Sequence, residues 1–221
     1  MKSHSETEEN YLKCILRHSP DDELVGTNTI AHDLNTSPAS VSDMIRRLSD
    51  KQLVIYTKYK GVQLSKEGKK IALQIVRKHR LWEVFLVKKL NFSWDNVHDV
   101  AEQLEHIDSA ELIKRIDAFL GFPKFDPHGD PIPTEEGIII KRDTQLLTQV
   151  DSGDQVVITS VKRSDQDFLQ YLDRLGLTIN QSVTVKEKLS FDDSIILEVD
   201  QKTVVVNGLV ANNLMVIKEN A

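Results

Sequence analysis

The sequence predicts an α+β protein with a helical N-terminal part and a small sheet over roughly its last third, and three observations carry that expectation. Apolar residues recur at helical spacing as far as Leu120, with one short β-rich interruption. The thirteen residues from Gly121 to Pro133 hold four prolines and two glycines. Beyond them, short Val- and Ile-rich runs are separated by turn residues.

Taken in order, Tyr11, Leu12, Ile15 and Leu16 give a first helix over Glu8 to His18, broken by Ser19-Pro20-Asp21-Asp22. Thr27 is expected to cap a short helix through Leu34, and Asn35-Thr36 turns the chain. Ser37-Pro38 then opens a helix with Val41, Ile45 and Leu48 as its buried stripe, completing a helix-turn-helix. Val54-Ile55-Tyr56 and Val62-Gln63-Leu64 flank Lys58-Tyr59-Lys60-Gly61, the pattern of a hairpin wing. Ser65 caps a long helix from Lys66 to about Leu90, whose stretch Leu81 to Val87 is apolar on nearly every side. That stretch demands burial, which a dimer interface supplies. Further helices are expected from Trp94 to about Ile107 and from Ser109 to about Leu120.

In the last third, strands are expected at 155–161, 182–186, 194–199, 203–206 and 214–217, with one helix at about Asp165 to Leu175. Five short strands suggest an SH3-like small β-barrel. The expected divisions are a winged helix-turn-helix domain at 1–73, a helical dimerisation and metal domain at 74–126, a linker at 127–144 and the SH3-like domain at 145–221.

The 221 residues include a single cysteine, Cys14, which excludes an internal disulfide and any multi-cysteine metal site. This usage fits a reducing cytoplasm, and Cys14 reads as a small buried hydrophobe. No stretch reaches the roughly 18 uninterrupted apolar residues of a membrane span, so no membrane partner is expected. The formal charge of −6 hides an uneven distribution. From Ser40 to Arg80 eleven basic residues face three acidic ones, a net of +8, whereas Asn91 to Ile113 carries six carboxylates and no Lys or Arg. The first segment suits phosphate and the second a cation.

Within the basic segment, Ser37, Ser40, Ser42 and Asp43 lie at the start of the second helix-turn-helix helix, alongside Pro38 and Ala39, where base edges are read. Thr27 opens the preceding helix, Arg46, Arg47 and Lys51 stand ready for phosphates, and Lys58, Tyr59 and Lys60 form the wing tip. One small module makes few base contacts, so a homodimer on paired half-sites of double-stranded operator DNA is expected.

Within the acidic segment, taking His98 as 0° on an ideal helix puts Glu102 at about 40°, Glu105 at about −20° and His106 at about 80°. Val97, Val100, Leu104 and Ile107 gather on the other side. An acidic helix face is commonly just solvated, but His79 and Glu83, spaced i, i+4 on the preceding helix, offer a second pair of ligand types. Imidazole with carboxylate suits Mn(II), Fe(II), Co(II) or Zn(II), and the lack of sulfur favours Mn(II) over Fe(II), with Zn(II) and Co(II) as substitutes in vitro.

Thr7-Glu-Glu-Asn-Tyr-Leu12, Ser37-Pro-Ala-Ser-Val-Ser42, Leu64-Ser-Lys-Glu-Gly68, Lys78-His-Arg-Leu81, the run from Val97 through His106, and Pro127-His-Gly-Asp-Pro-Ile-Pro133 together resemble the diphtheria-toxin-repressor family, especially its manganese-responsive branch. The resemblance covers nearly the whole chain. It implies a primary metal site of Glu102, Glu105 and His106, with Asn10 where an Asp or Met usually completes it. It implies an ancillary site of His79, Glu83 and His98 with Asp167, and offers Asp126 and His128 as further ligands. Lys13 stands where manganese-specific members can place a Glu, and Glu102 where iron-responsive members carry Cys.

The expected function is therefore that of a metal-dependent transcriptional repressor controlling metal-uptake genes, and not that of an enzyme. Two rivals use the same residues: a winged-helix regulator not gated by metal, and a metallohydrolase with Glu102 or Asp99 as base.

Overall fold

The computed structural model describes residues 4–19 and 22–219, so the expected break at Pro20-Asp21 lies outside the described residues. Contacts divide the chain into two units, one of residues 1–82, 101–122 and 132–139, the other of residues 83–100, 123–131 and 140–221.

In the first unit, α1 (Glu6–His18) begins at a capping box, with the Ser5 side chain accepting from Glu8 N and the Glu8 carboxylate accepting from Ser5 N. α2 (Thr27–Asp33) starts from Gly26, so Thr27 is its first helical residue and not the cap expected from sequence. α3 (Pro38–Asp50) is capped by Ser37 Oγ, which accepts from Ser40 N at 3.1 Å. Its Pro38 sits in the first turn, where a backbone N–H has no helical partner to lose. The expected stripe of Val41, Ile45 and Leu48 is buried against Leu12, Ile15 and Ile30.

β1 (Val54–Thr57) and β2 (Gly61–Leu64) pair antiparallel, with Thr57 opposite Gly61, and Val25 bridges to Val62. At Gly61, φ is +138° and a Cβ would stand 2.6 Å from Val25 O, so the approach requires glycine. α4 (Lys66–Leu90) is the longest helix and buries Leu81, Trp82, Val84 and Leu86.

α5 (His98–Leu104) is shorter at both ends than the sequence suggested. At its start, Asn96 N donates to Ser93 O and the Asp95 carboxylate accepts from Gln170, which fold Trp94 to Val97 into turns. At its end, Glu105 N still donates to Ala101 O at 2.9 Å, yet Glu105 and His106 lie in the turn that follows. Ser109 caps α6 (Ala110–Phe119), leaving little chain in which α5 can continue.

The second unit contains a six-stranded antiparallel sheet. In chain order it is built from β3 (Gln145–Leu146), β4 (Gln155–Val161), α7 (Gln166–Leu175), β5 (Ser182–Leu189), β6 (Ser194–Val199), β7 (Lys202–Val206), α8 (Gly208–Ala211) and β8 (Leu214–Lys218). The strand order is β3-β8-β4-β5-β6-β7. The expected SH3-like small β-barrel takes the form of an unclosed sheet, because β3 pairs with β8 and β7 with β6 and, among the described residues, these two edge strands do not pair with each other. β3 has only two residues, too few to extend the ladder around. Alternating residues such as Val156, Ile158, Val183, Val185, Ile195 and Leu197 form the core with Phe168, Leu169 and Leu172 of α7.

The proline-rich segment packs on this unit. Val161 N donates to His128 O at 3.1 Å, and Gly129, at φ +88°, lies so close that a Cβ would fall 1.9 Å from Thr159 O. No described helix is long and apolar enough to cross a membrane.

Candidate metal centre and nucleic-acid interface

Among the described residues, each unit holds a group of imidazoles and carboxylates with the chemistry of a metal site. In the first unit, His79 of α4, Glu102 of α5 and Glu105 of the turn after it bring ligand atoms within 4.8 Å of one another. Glu105 is fully buried, and its Oε2 lies 2.6 Å from His79 Nδ1. Its other oxygen accepts from Lys13 Nζ at 2.6 Å, and the same ammonium donates to Glu102 Oε1 at 2.6 Å. His106 is turned toward α1, with Nδ1 2.5 Å from Glu9 Oε2. Sequence reasoning missed Glu9 as a partner of this cluster. The signal was present, since Glu9 and Lys13 are spaced i, i+4 and share one face of α1.

Asn10 is half-buried beside a cleft of about 460 Å³ between α1 and α3, and its Oδ1 is buried without a hydrogen-bond partner. A chemically suitable donor set is thus present in this unit, and the Lys13 ammonium marks where a positive charge is held.

In the second unit, Glu83, Asp126 and His128 are all buried and bring ligand atoms within 4.8 Å of one another. His98 Nδ1 lies 3.5 Å from Glu83 Oε1, and His128 Nδ1 lies 3.8 Å from Glu83 Oε2. The loop is built to aim these groups. Asp126 Oδ1 accepts from His128 N at 2.8 Å and Asp130 N at 3.0 Å, an Asx turn that fixes the carboxylate. His128 is oriented from its far side, where Nε2 lies 2.7 Å from Trp94 O and the ring stacks on Trp94 at 6.0 Å between centroids. That contact assigns the N–H to Nε2 and leaves the Nδ1 lone pair free on the side of Glu83, the tautomer a metal ligand needs. Two buried carboxylates with imidazole nitrogens fit a divalent cation of the Mn(II) to Zn(II) series. Asp167 is exposed in the first turn of α7 and belongs to neither group.

The residues expected at nucleic acid lie at the exposed surface of the first unit. Ser40, Ser42, Asp43, Arg46 and Arg47 are exposed along α3, as are Ser37, Pro38 and Ala39 at its start. Ser42 Oγ donates to Pro38 O at 2.9 Å. Thr27 is half-buried at the start of α2. Tyr59, 91% exposed, takes a left-handed φ of 65° at the wing tip, with Lys58 Nζ 4.9 Å from its ring centroid and Lys60 exposed beside it. Lys51 is held differently, donating to Glu8 Oε1 at 2.6 Å.

A winged helix with an exposed second helix and a basic wing tip, joined to clustered imidazoles and carboxylates, defines a metal-dependent DNA-binding regulator. The comparisons with known proteins give its family. Residues 4–62 match the iron dependent repressor N-terminal DNA binding domain, residues 65–134 the iron dependent repressor metal binding and dimerisation domain, and residues 145–218 the FeoA domain. A solved manganese-dependent transcriptional repressor in complex with manganese is 34% identical, with a TM-score of 0.83, covering 96% of this chain and 100% of that one. ScaR with bound Cd2+ is 30% identical, with a TM-score of 0.77, covering 96% and 99%. The diphtheria toxin repressor of Corynebacterium jeikeium is 29% identical over 193 residues, 86% of this chain and 80% of its own. The chain belongs to the diphtheria-toxin-repressor family of iron- and manganese-dependent transcriptional repressors. The family consists of regulators and not enzymes, so the metallohydrolase reading falls.

Proposed function

We propose that this repressor is gated by Mn(II), with Fe(II) as the alternative ion, through the buried group of Glu83, Asp126 and His128 with His98. The single observation behind this reading is that group's convergence: two carboxylates and an oriented imidazole are all buried with their ligand atoms within 4.8 Å. Burying two carboxylates is costly unless charge compensates them. A bound divalent cation adds such charge to the partners these side chains already have. Asp126 and His128 come from the proline-rich loop and Glu83 from α4, so joining them fixes the loop to the helix.

On this reading residues 1–73 contact operator DNA, residues 74–126 carry the dimer contact and much of the metal chemistry, and residues 145–221 follow the linker at 127–144. Ser37, Ser40, Ser42 and Asp43, with Thr27, Pro38 and Ala39 beside them, face base edges, while Arg46, Arg47, Lys58, Tyr59 and Lys60 face the backbone. The homodimer acts in the cytoplasm on genes for metal uptake.

Mobility shift of operator DNA tests this. Binding is expected with Mn(II), to be lost in chelator, and to be lost with metal present in the double variant Glu83→Gln with His128→Ala. Equal binding with and without metal would sink the reading in favour of a regulator not gated by metal.

A further inference from the structure

The Glu102 and Glu105 carboxylates already hold a cation of the protein's own. Lys13 Nζ stands 2.6 Å from an oxygen of each, with the Lys13 side chain 16% exposed and that of Glu105 at 0%. The second Glu105 oxygen is engaged by His79, and His106 is drawn to Glu9. Every ligand type in this cluster is therefore turned toward a partner from the chain itself. Both Glu9 and Lys13 lie on α1, so the two contacts join the helix that opens the DNA-binding region to the segment 102–106.

We propose that Lys13 is a tethered competitor for the cation position between Glu102 and Glu105, so that this site is satisfied without metal and a divalent ion enters only by displacing the ammonium. The inference rests on the metal-gated reading above and adds selectivity within it. Two carboxylates held one ammonium apart would repel strongly if it left, and an ammonium on its own chain is present at an effective concentration on the order of millimolar, far above micromolar metal. The buried Glu83, Asp126 and His128 group is then the first to fill, and α1 is braced whether or not metal is present.

The test reads metal content, not DNA binding, so that its failure is separable from failure of gating. Full-length protein carrying Glu83→Gln and His128→Ala is dialysed against micromolar Mn(II), and bound metal is counted by atomic emission. This parent is expected to hold none. Adding Lys13→Met, which keeps the side chain's bulk and removes its charge, is expected to give one Mn(II) per chain, abolished by Glu105→Gln, while Lys13→Arg gives none. Metal bound by the parent, or no gain from Lys13→Met, overturns the proposal. Melting in chelator provides a second reading in the otherwise unaltered protein. Lys13→Met should melt lower than its parent and recover with Mn(II), and a melt insensitive to the substitution overturns the proposal equally.

Discussion

Asp33 at the end of α2 takes hydrogen bonds from Cys14, Arg17 and His18. Burial alone would raise its pKa, but these donors outweigh it and hold the carboxyl down to about 2. The same contact works in the opposite sense on Cys14, whose thiol is pushed up to about 12 by burial and by the neighbouring carboxylate, so it stays protonated and inert. A depressed folded-state pKa means that Asp33 contributes stability fully above the unfolded carboxyl range, near pH 4, and loses it as pH falls toward about 2. Asp33→Asn should therefore cost roughly 1–3 kcal/mol at pH 7 and flatten the acid limb between those pH values, as read by urea unfolding across pH. An unchanged acid limb would show that Asp33 is not among the groups driving acid unfolding. Some of this scale was legible in sequence: Cys14 reads as buried from its type and helical position. The charged braces of Glu9 and Lys13 were not assigned, because single-residue patterns show which face a side chain occupies but not which distant chain meets it.

At the scale of elements, the helix starts at Ser37 and Ser109 were read well because a side-chain cap fixes each, whereas α1, capped by Ser5, was expected two residues late at Glu8. α2 opens on Gly26 without a side-chain bond, which is why Thr27 looked like its cap. The helix of His98 was drawn too long because its apolar spacing continues through turns that side-chain bonds from Asp95 and Trp94 enforce. The four-residue arc thereby became two halves: His98 and Glu102 on α5, Glu105 and His106 just past it. Caps carry measurable energy. Ser37→Ala removes the acceptor for Ser40 N and should lower stability by about 1 kcal/mol. Operator affinity should fall with it, since the capped turn is the one that presents Ser40 and Ser42; calorimetry and mobility shift on one preparation would check both. An unaltered melting temperature would mean that Pro38 alone sets the start of α3.

For the molecule as a whole, the succession of helical and β-rich regions and the position of the basic surface were readable from periodicity and charge. The open sheet was not, since strand number and closure depend on pairings between residues far apart in sequence, and β3 is too short to show a pattern. Ligand binding to the folded state alone raises stability by mass action, roughly 2.7 kcal/mol when free ligand is a hundredfold above its Kd. Mn(II) should therefore raise the melting temperature of the protein, and the rise should vanish in Glu83→Gln with His128→Ala. A rise of the same size in that variant would move the responsive site elsewhere in the chain.

The strand order β3-β8-β4 has a consequence for the time course of folding. Leu146 of β3 pairs with Met215 of β8, and β4 pairs with the same β8 strand along its other edge. During synthesis, β4 through β7 can assemble as consecutive neighbours while β3 waits and one edge of β4 stays bare until β8 emerges. Closing so distant a pair is slow, and an unpaired edge is open to a passing strand from another chain. The interval before β8 inserts is therefore when this sheet is most exposed to misassembly, and it is set by the order of the strands and not by their stability.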